Sequence, residues 1–121
     1  MEDGRIRNTQ ISASSISSSR VHPLFFAAYN ARLNKPKGDD AGCWAAMTHD
    51  LNQWIQVEFR VARSISGVIL QGRAFVDPRQ WVTEFIVKHN AGDDDNAWMV
   101  VQDSERLNEM VRMTDCLLCL I

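Results

Sequence analysis

Residues 54–59 read Trp-Ile-Gln-Val-Glu-Phe, and this alternation constrains the fold more than any other feature of the chain. Side chains point to opposite faces along a strand. Ile55, Val57 and Phe59 therefore share one face, and Trp54, Gln56 and Glu58 share the other. Further strand signals follow. Residues 65–71 contain Val68-Ile-Leu70, a continuous apolar run of the kind found in strands covered on both sides. Residues 81–89 alternate again, with Phe85 and Val87 facing one way and Glu84 and Lys88 the other. Gly92-Asp-Asp-Asp-Asn96 is a turn signal, after which Ala97-Trp-Met-Val-Val101 can close a hairpin. Upstream, Gln10-Ile-Ser-Ala-Ser14 suits a short edge strand. Strands at this spacing, with no convincing helix between them, predict an all-β sandwich or barrel.

Composition removes whole classes of function. The chain has 121 residues, one domain's length, and 45% of them are apolar. Thirteen Lys and Arg stand against fifteen Asp and Glu, so the net charge of -2 gives no electrostatic case for nucleic acid. No apolar run approaches the ~20 residues of a membrane-spanning helix. The N-terminal Met1-Glu-Asp-Gly-Arg-Ile6 has acids where a secretory leader is basic and then apolar, so no signal peptide is expected on this chain.

The three cysteines are Cys43, Cys116 and Cys119. The last two form a lone Cys-x-x-Cys in an apolar tail, with no second pair to complete a zinc site. Ser104 can cap a helix in which Leu107, Met110 and Val111 fall at helical spacing, so a helix is expected over 104–113. Catalysis finds little support. There is no Gly-x-Ser-x-Gly nucleophile elbow, and the chain is expected to be no enzyme.

Six stretches in order point to a family: Met1-Glu-Asp-Gly-Arg-Ile6, Gln10-Ile-Ser-Ala-Ser-Ser15, Ala31-Arg-Leu-Asn34, Asn52-Gln-Trp-Ile-Gln-Val-Glu-Phe59, Gly67-Val-Ile-Leu-Gln-Gly-Arg73 and Trp81-Val-Thr-Glu-Phe85. Together they make the chain resemble the discoidin domain, also called the coagulation factor 5/8 type C domain. The hairpin Asn90-Ala-Gly-Asp-Asp-Asp-Asn-Ala-Trp98 resembles the family's Asp-Gly-x-x-Trp turn. The resemblance covers residues 1–102 and leaves 103–121 as an unassigned tail. It implies a jelly-roll β-sandwich like that of galactose-binding domains, incomplete at its C-terminal side, with a short helical or irregular tail. The family's opening and closing cysteines and its Arg-rich strand have no counterpart here, so a truncated domain is expected.

The resemblance also implies a use. Such domains are extracellular or cell-surface modules that attach to phospholipid head groups, glycans or proteins through loops at one end of the barrel. The first such loop corresponds to residues 21–30, with Leu24, Phe25 and Phe26 at its apex and His22 beside them. The third corresponds to residues 73–80, carrying Arg73, Phe75, Val76 and Arg79. A shorter middle loop spans residues 47–52.

Burying a large apolar side chain recovers ~1.5–3 kcal/mol, so Leu24, Phe25 and Phe75 could anchor the chain in lipid or a partner's groove. Arginines and His22 suit phosphate or acidic sugars. Tyr29, His49, Asp50 and Trp81 are secondary candidates, the aromatics by stacking on a sugar. Against this stands an apolar loop that folds under to seal the barrel. The run Asp93-Asp-Asp95 could suggest calcium, but a hairpin turn accounts for it, so no cofactor is expected. Two further readings stay open: a module for a protein partner, and a fragment with no independent function.

Overall fold

Strand β1 (Ile11–Ala13) and strand β2 (Ile55–Glu58) pair antiparallel, with Ile11 opposite Val57 and Ala13 opposite Ile55. The alternation seen in the sequence decides which side of β2 is dry: Ile55 and Val57 are buried and Glu58 is exposed. The computed structural model describes residues 4–35, 38–61, 63–73, 80–90, 97–101, 111–113 and 117–120. Its other strands are β3 (Arg63–Ile65), β4 (Val87–Asn90), β5 (Met99–Val100), β6 (Val111–Met113) and β7 (Leu117–Leu120).

Five of these form one sheet in the order β1-β2-β7-β4-β5, every neighbouring pair antiparallel. β3 and β6 form a second, two-stranded sheet, also antiparallel. Two 3-10 turns, Asn8–Gln10 and Ala28–Asn30, complete the regular structure among the described residues. The fold is all-β, in agreement with the expectation.

Ile11, Ala28, Ile55 and Val57 form the core cluster, with Ile6, Ala13, Tyr29, Ala31, Trp44 and Phe59 packed against it. The core is thus the dry side of the β1–β2 pair, closed by the turn at Ala28–Asn30. Beyond the strand ends, Ser14 accepts the Trp54 N–H at 3.0 Å and donates to Gln53 Oε1 at 2.9 Å. Ser15 donates to the same oxygen at 2.5 Å, accepts the Met47 N–H at 3.0 Å, and offers its carbonyl to Trp44 Nε1 at 2.9 Å. These bonds satisfy polar groups where the ladder stops, as partly buried backbone requires.

Three expectations are corrected. The strand expected over 65–71 is confined to Arg63–Ile65, and the Val68-Ile-Leu70 run is not covered on both sides: Ile69 is 77% exposed and Leu70 41%. The strand expected over 81–89 begins only at Val87, and Trp81, Val82, Phe85 and Ile86 are exposed. The helix expected over 104–113 does not extend to its end, because Val111–Met113 is strand, paired with Arg63–Ile65; residues 104–110 lie outside the described residues. A helical spacing of three apolar residues is a weak local signal that non-local pairing readily overrides.

Register fixes the two ends of the main sheet. Ile55 and Val87 both lie opposite Leu120, and Glu58 and Asn90 both lie opposite Leu117. β2 and β4 therefore point the same way. Segments entering them, residues 47–54 and 80–86, lie at one end. Segments leaving them lie at the other, together with the start of β1.

Candidate functional site

The apolar loop at 21–26 is held by its own backbone and by one buried side chain. The Phe25 N–H donates to the His22 carbonyl at 3.0 Å and the Ala27 N–H to the Leu24 carbonyl at 3.1 Å, two successive turns set up beside Pro23. The His22 side chain accepts the Leu24 N–H on Nδ1 at 3.1 Å. Asn30 is fully buried, and its Nδ2 reaches the carbonyls of Phe25 at 3.1 Å and Leu24 at 3.4 Å. Its Oδ1 accepts from Lys35, which also pairs with Asp40. Ala41 donates to the Phe25 carbonyl at 2.9 Å, closing the base of the loop.

This scaffold leaves side chains in graded contact with water. Val21 is 76% exposed and Leu24 46%, and His22 is exposed. Phe25 and Phe26 are half-buried and meet edge to face, with ring centroids 5.0 Å apart. Tyr29 is turned toward the core, with the Lys35 ammonium 5.9 Å from its ring centre.

Arg73 joins the first loop to the third. Its guanidinium lies 5.3 Å from the Phe26 ring centre, within cation–π reach. Its N–H donates to the Gln80 carbonyl at 2.8 Å and its Nη1 to Gln80 Oε1 at 3.1 Å, so Arg73 and Gln80 close the neck of the 73–80 loop. Gly72 makes that neck possible. A Cβ there would sit 2.9 Å from the Trp81 Cβ and 3.1 Å from the Gln80 carbonyl oxygen. Trp81 itself projects outward, 66% exposed. Phe75, Val76 and Arg79 lie outside the described residues, as do Asp93, Asp94 and Asp95.

The middle loop is organised by Asp50. Its carboxylate accepts from Asn52 N–H at 2.8 Å, Gln53 Nε2 at 2.9 Å and Thr48 Oγ1 at 2.9 Å. The hydrogen bond from Gln53, then those from Asn52 and Thr48, hold its pKa below the ordinary aspartate range. Its oxygens are thus engaged in the turn. His49 is exposed beside it. Two apolar residues here escaped sequence reasoning: Leu51, 91% exposed, and Met47, 64% exposed. A signal was present, since a Leu between Asp50 and Asn52 in a tight polar turn has no core to enter.

Two titratable groups near the first loop are shifted by their surroundings. Burial pulls the Asp40 carboxyl upward, but the Lys35 hydrogen bond, the Gly42 N–H and the Lys35 charge outweigh it and hold the group below its usual range. Burial pushes the Cys43 thiol up, against the positive charge of Arg73.

A sheet scaffold carrying apolar loop tips beside arginine is the arrangement of a binding module. The comparisons agree. The F5/8 type C domain matches residues 10–115, and the chain belongs to that family, whose members are jelly-roll β-sandwich binding modules, not catalysts. It is 38% identical over 102 residues to hemocytin of Bombyx mori, covering 84% of this chain and 3% of that protein. It is 30% identical over 112 residues to the EGF-like repeat and discoidin I-like domain-containing protein 3 of Mus musculus, covering 92% and 22%. It is 29% identical over 110 residues to retinoschisin of Mus musculus, covering 90% and 46%. The chain thus spans less than half the length of each of these relatives.

Proposed function

We infer that this domain is an extracellular adhesion or recognition module that grips phospholipid head groups or glycans with its loop tips. The supporting observation is the linked pair of loops at residues 21–26 and 73–80. Leu24 and Val21 stand in water there, and the Arg73 guanidinium, over the Phe26 ring, bridges the two loops. Phe25, Phe26, Phe75 and Val76 add apolar area, and His22, Arg73 and Arg79 meet phosphate or acidic sugar. Leu51 and Met47 extend the apolar contact, and Trp81 offers a stacking face for a sugar.

The physical logic is that of an interfacial anchor. Each exposed apolar tip carries ~1.5–3 kcal/mol that water withholds and a lipid or partner groove returns. Fixing the loop backbone through Asn30 in advance lowers the ordering cost of binding. Sedimentation with phosphatidylserine vesicles tests the reading. The Leu24→Ala/Leu51→Ala double variant should bind about tenfold or more weakly. Undiminished binding by that variant, to vesicles and to a glycan array alike, removes the loop tips from the function.

A second reading rests on a different observation. Ile69, Leu70, Trp81, Val82, Phe85 and Ile86 are all exposed, a density of apolar surface that usually meets protein. On this reading the module docks a protein partner, or depends on further polypeptide to be stable. A broad, non-cooperative urea transition of the isolated chain favours it; a sharp one favours the loop-tip module standing alone.

A further inference from the structure

At the end of the sheet away from residues 47–54 lies a hollow of about 220 Å3. Arg5, Ile6 and Arg7 of the N-terminal segment line it together with Phe59, Arg60 and Arg63 from the exit of β2 onward. Four arginines are gathered here in a chain whose net charge is -2, so the positive potential is a local construction. Among the described residues, the guanidinium groups of Arg7, Arg60 and Arg63 have no ion-pair or hydrogen-bond partner, and the Glu58 carboxylate makes no ion pair.

Hydrogen bonds hold the lining segments in place. Gln10 accepts the Arg7 N–H on Oε1 at 3.0 Å and donates from Nε2 to the Glu58 carbonyl at 2.7 Å, clipping the N-terminal segment to the exit of β2. Arg32 donates to the Ile6 carbonyl at 2.7 Å and to Asn8 Oδ1 at 2.8 Å, holding the same segment from behind. Three arginines without a partner among the described residues line one cavity, and their like charges repel one another. Each presents a planar fork that matches the oxygens of a sulfate or phosphate ester.

We propose that this hollow is a second binding site, specific for a sulfate or phosphate ester carried on a carbohydrate. The apolar surface of Ile6 and Phe59 suits the ring that bears the ester. The choice of a sugar over a lipid rests on the loop-tip reading: with the tips against a membrane, a site at the far end of the sheet faces away from the bilayer. The domain would then join a surface at one end to a polyanionic glycan at the other.

Titration calorimetry of the full chain with a sulfated heparin-type hexasaccharide reads the site. Binding should weaken as salt rises. It should fall about tenfold or more in Arg60→Gln/Arg63→Gln, and fall again when Arg7→Gln in the N-terminal segment is added. Phosphatidylserine vesicle binding should be unchanged in Arg60→Gln/Arg63→Gln, which separates this site from the loop tips. Inorganic phosphate should compete, and the desulfated hexasaccharide should not. Equal affinity for the desulfated sugar, or unchanged binding in both arginine variants, overturns the proposal. Phosphatidylserine vesicle binding that is lost in the arginine double variant overturns the choice of a sugar, giving the hollow to a lipid head group.

Discussion

Asn30 shows how one buried polar side chain can shape a surface. Its amide touches two carbonyls of the apolar loop and its oxygen takes Lys35, so all its bonding serves the loop. Asn30→Ala leaves those groups short of partners and should lower stability by about 1–3 kcal/mol, read from the urea midpoint. Asp40, paired with Lys35 beside it, carries a pH dependence. The Asp40 carboxyl is held below its usual range in the fold, so its contribution is fully present above the ordinary aspartate value. It is lost as pH falls through the lowered folded value. Stability should therefore decline on acidification over that window, and Asp40→Asn should flatten the decline, as thermal melts across pH would register. None of this was legible in sequence, where Asn30 is one polar residue after Tyr29 and Asp40 one acid in a loop. Their importance comes from contacts across turns, which no local pattern encodes.

At the scale of elements, the legible parts are those with a strong local period. The strand Ile55–Glu58 and the burial of Ile55 and Val57 follow from alternation alone. The apolar character of residues 21–26 was visible too, and so was a loop there, because Pro23 excludes a regular strand. What failed was context. Val68-Ile-Leu70 reads as a strand enclosed on both faces, but enclosure is a property of neighbours, and Ile69 and Leu70 stand exposed. The neck of the third loop is likewise a matter of approach, with Gly72 packed against Trp81 at a distance no side chain tolerates. Gly72→Ala should destabilise the domain by about 1–3 kcal/mol and loosen the 73–80 loop, seen as faster proteolysis there.

Across the whole molecule, position in the sequence and position in the sheet part company. β7, formed by residues near 120, lies between β2 and β4 and is the only described link between β1-β2 and β4-β5 within that sheet. Deleting residues 117–121 should abolish the cooperative urea transition, since each remaining pair is too small to stand alone. The same arrangement bears on synthesis. A nascent chain leaving the ribosome carries two unjoined strand pairs, their inner edges bare, until residue 120 has been made. Assembly then waits on the most distant pairing among the described strands, β2 with β7, which makes it slow and leaves sticky edges open meanwhile. The cell that makes this domain has reason to keep a chaperone at hand until β7 slots in.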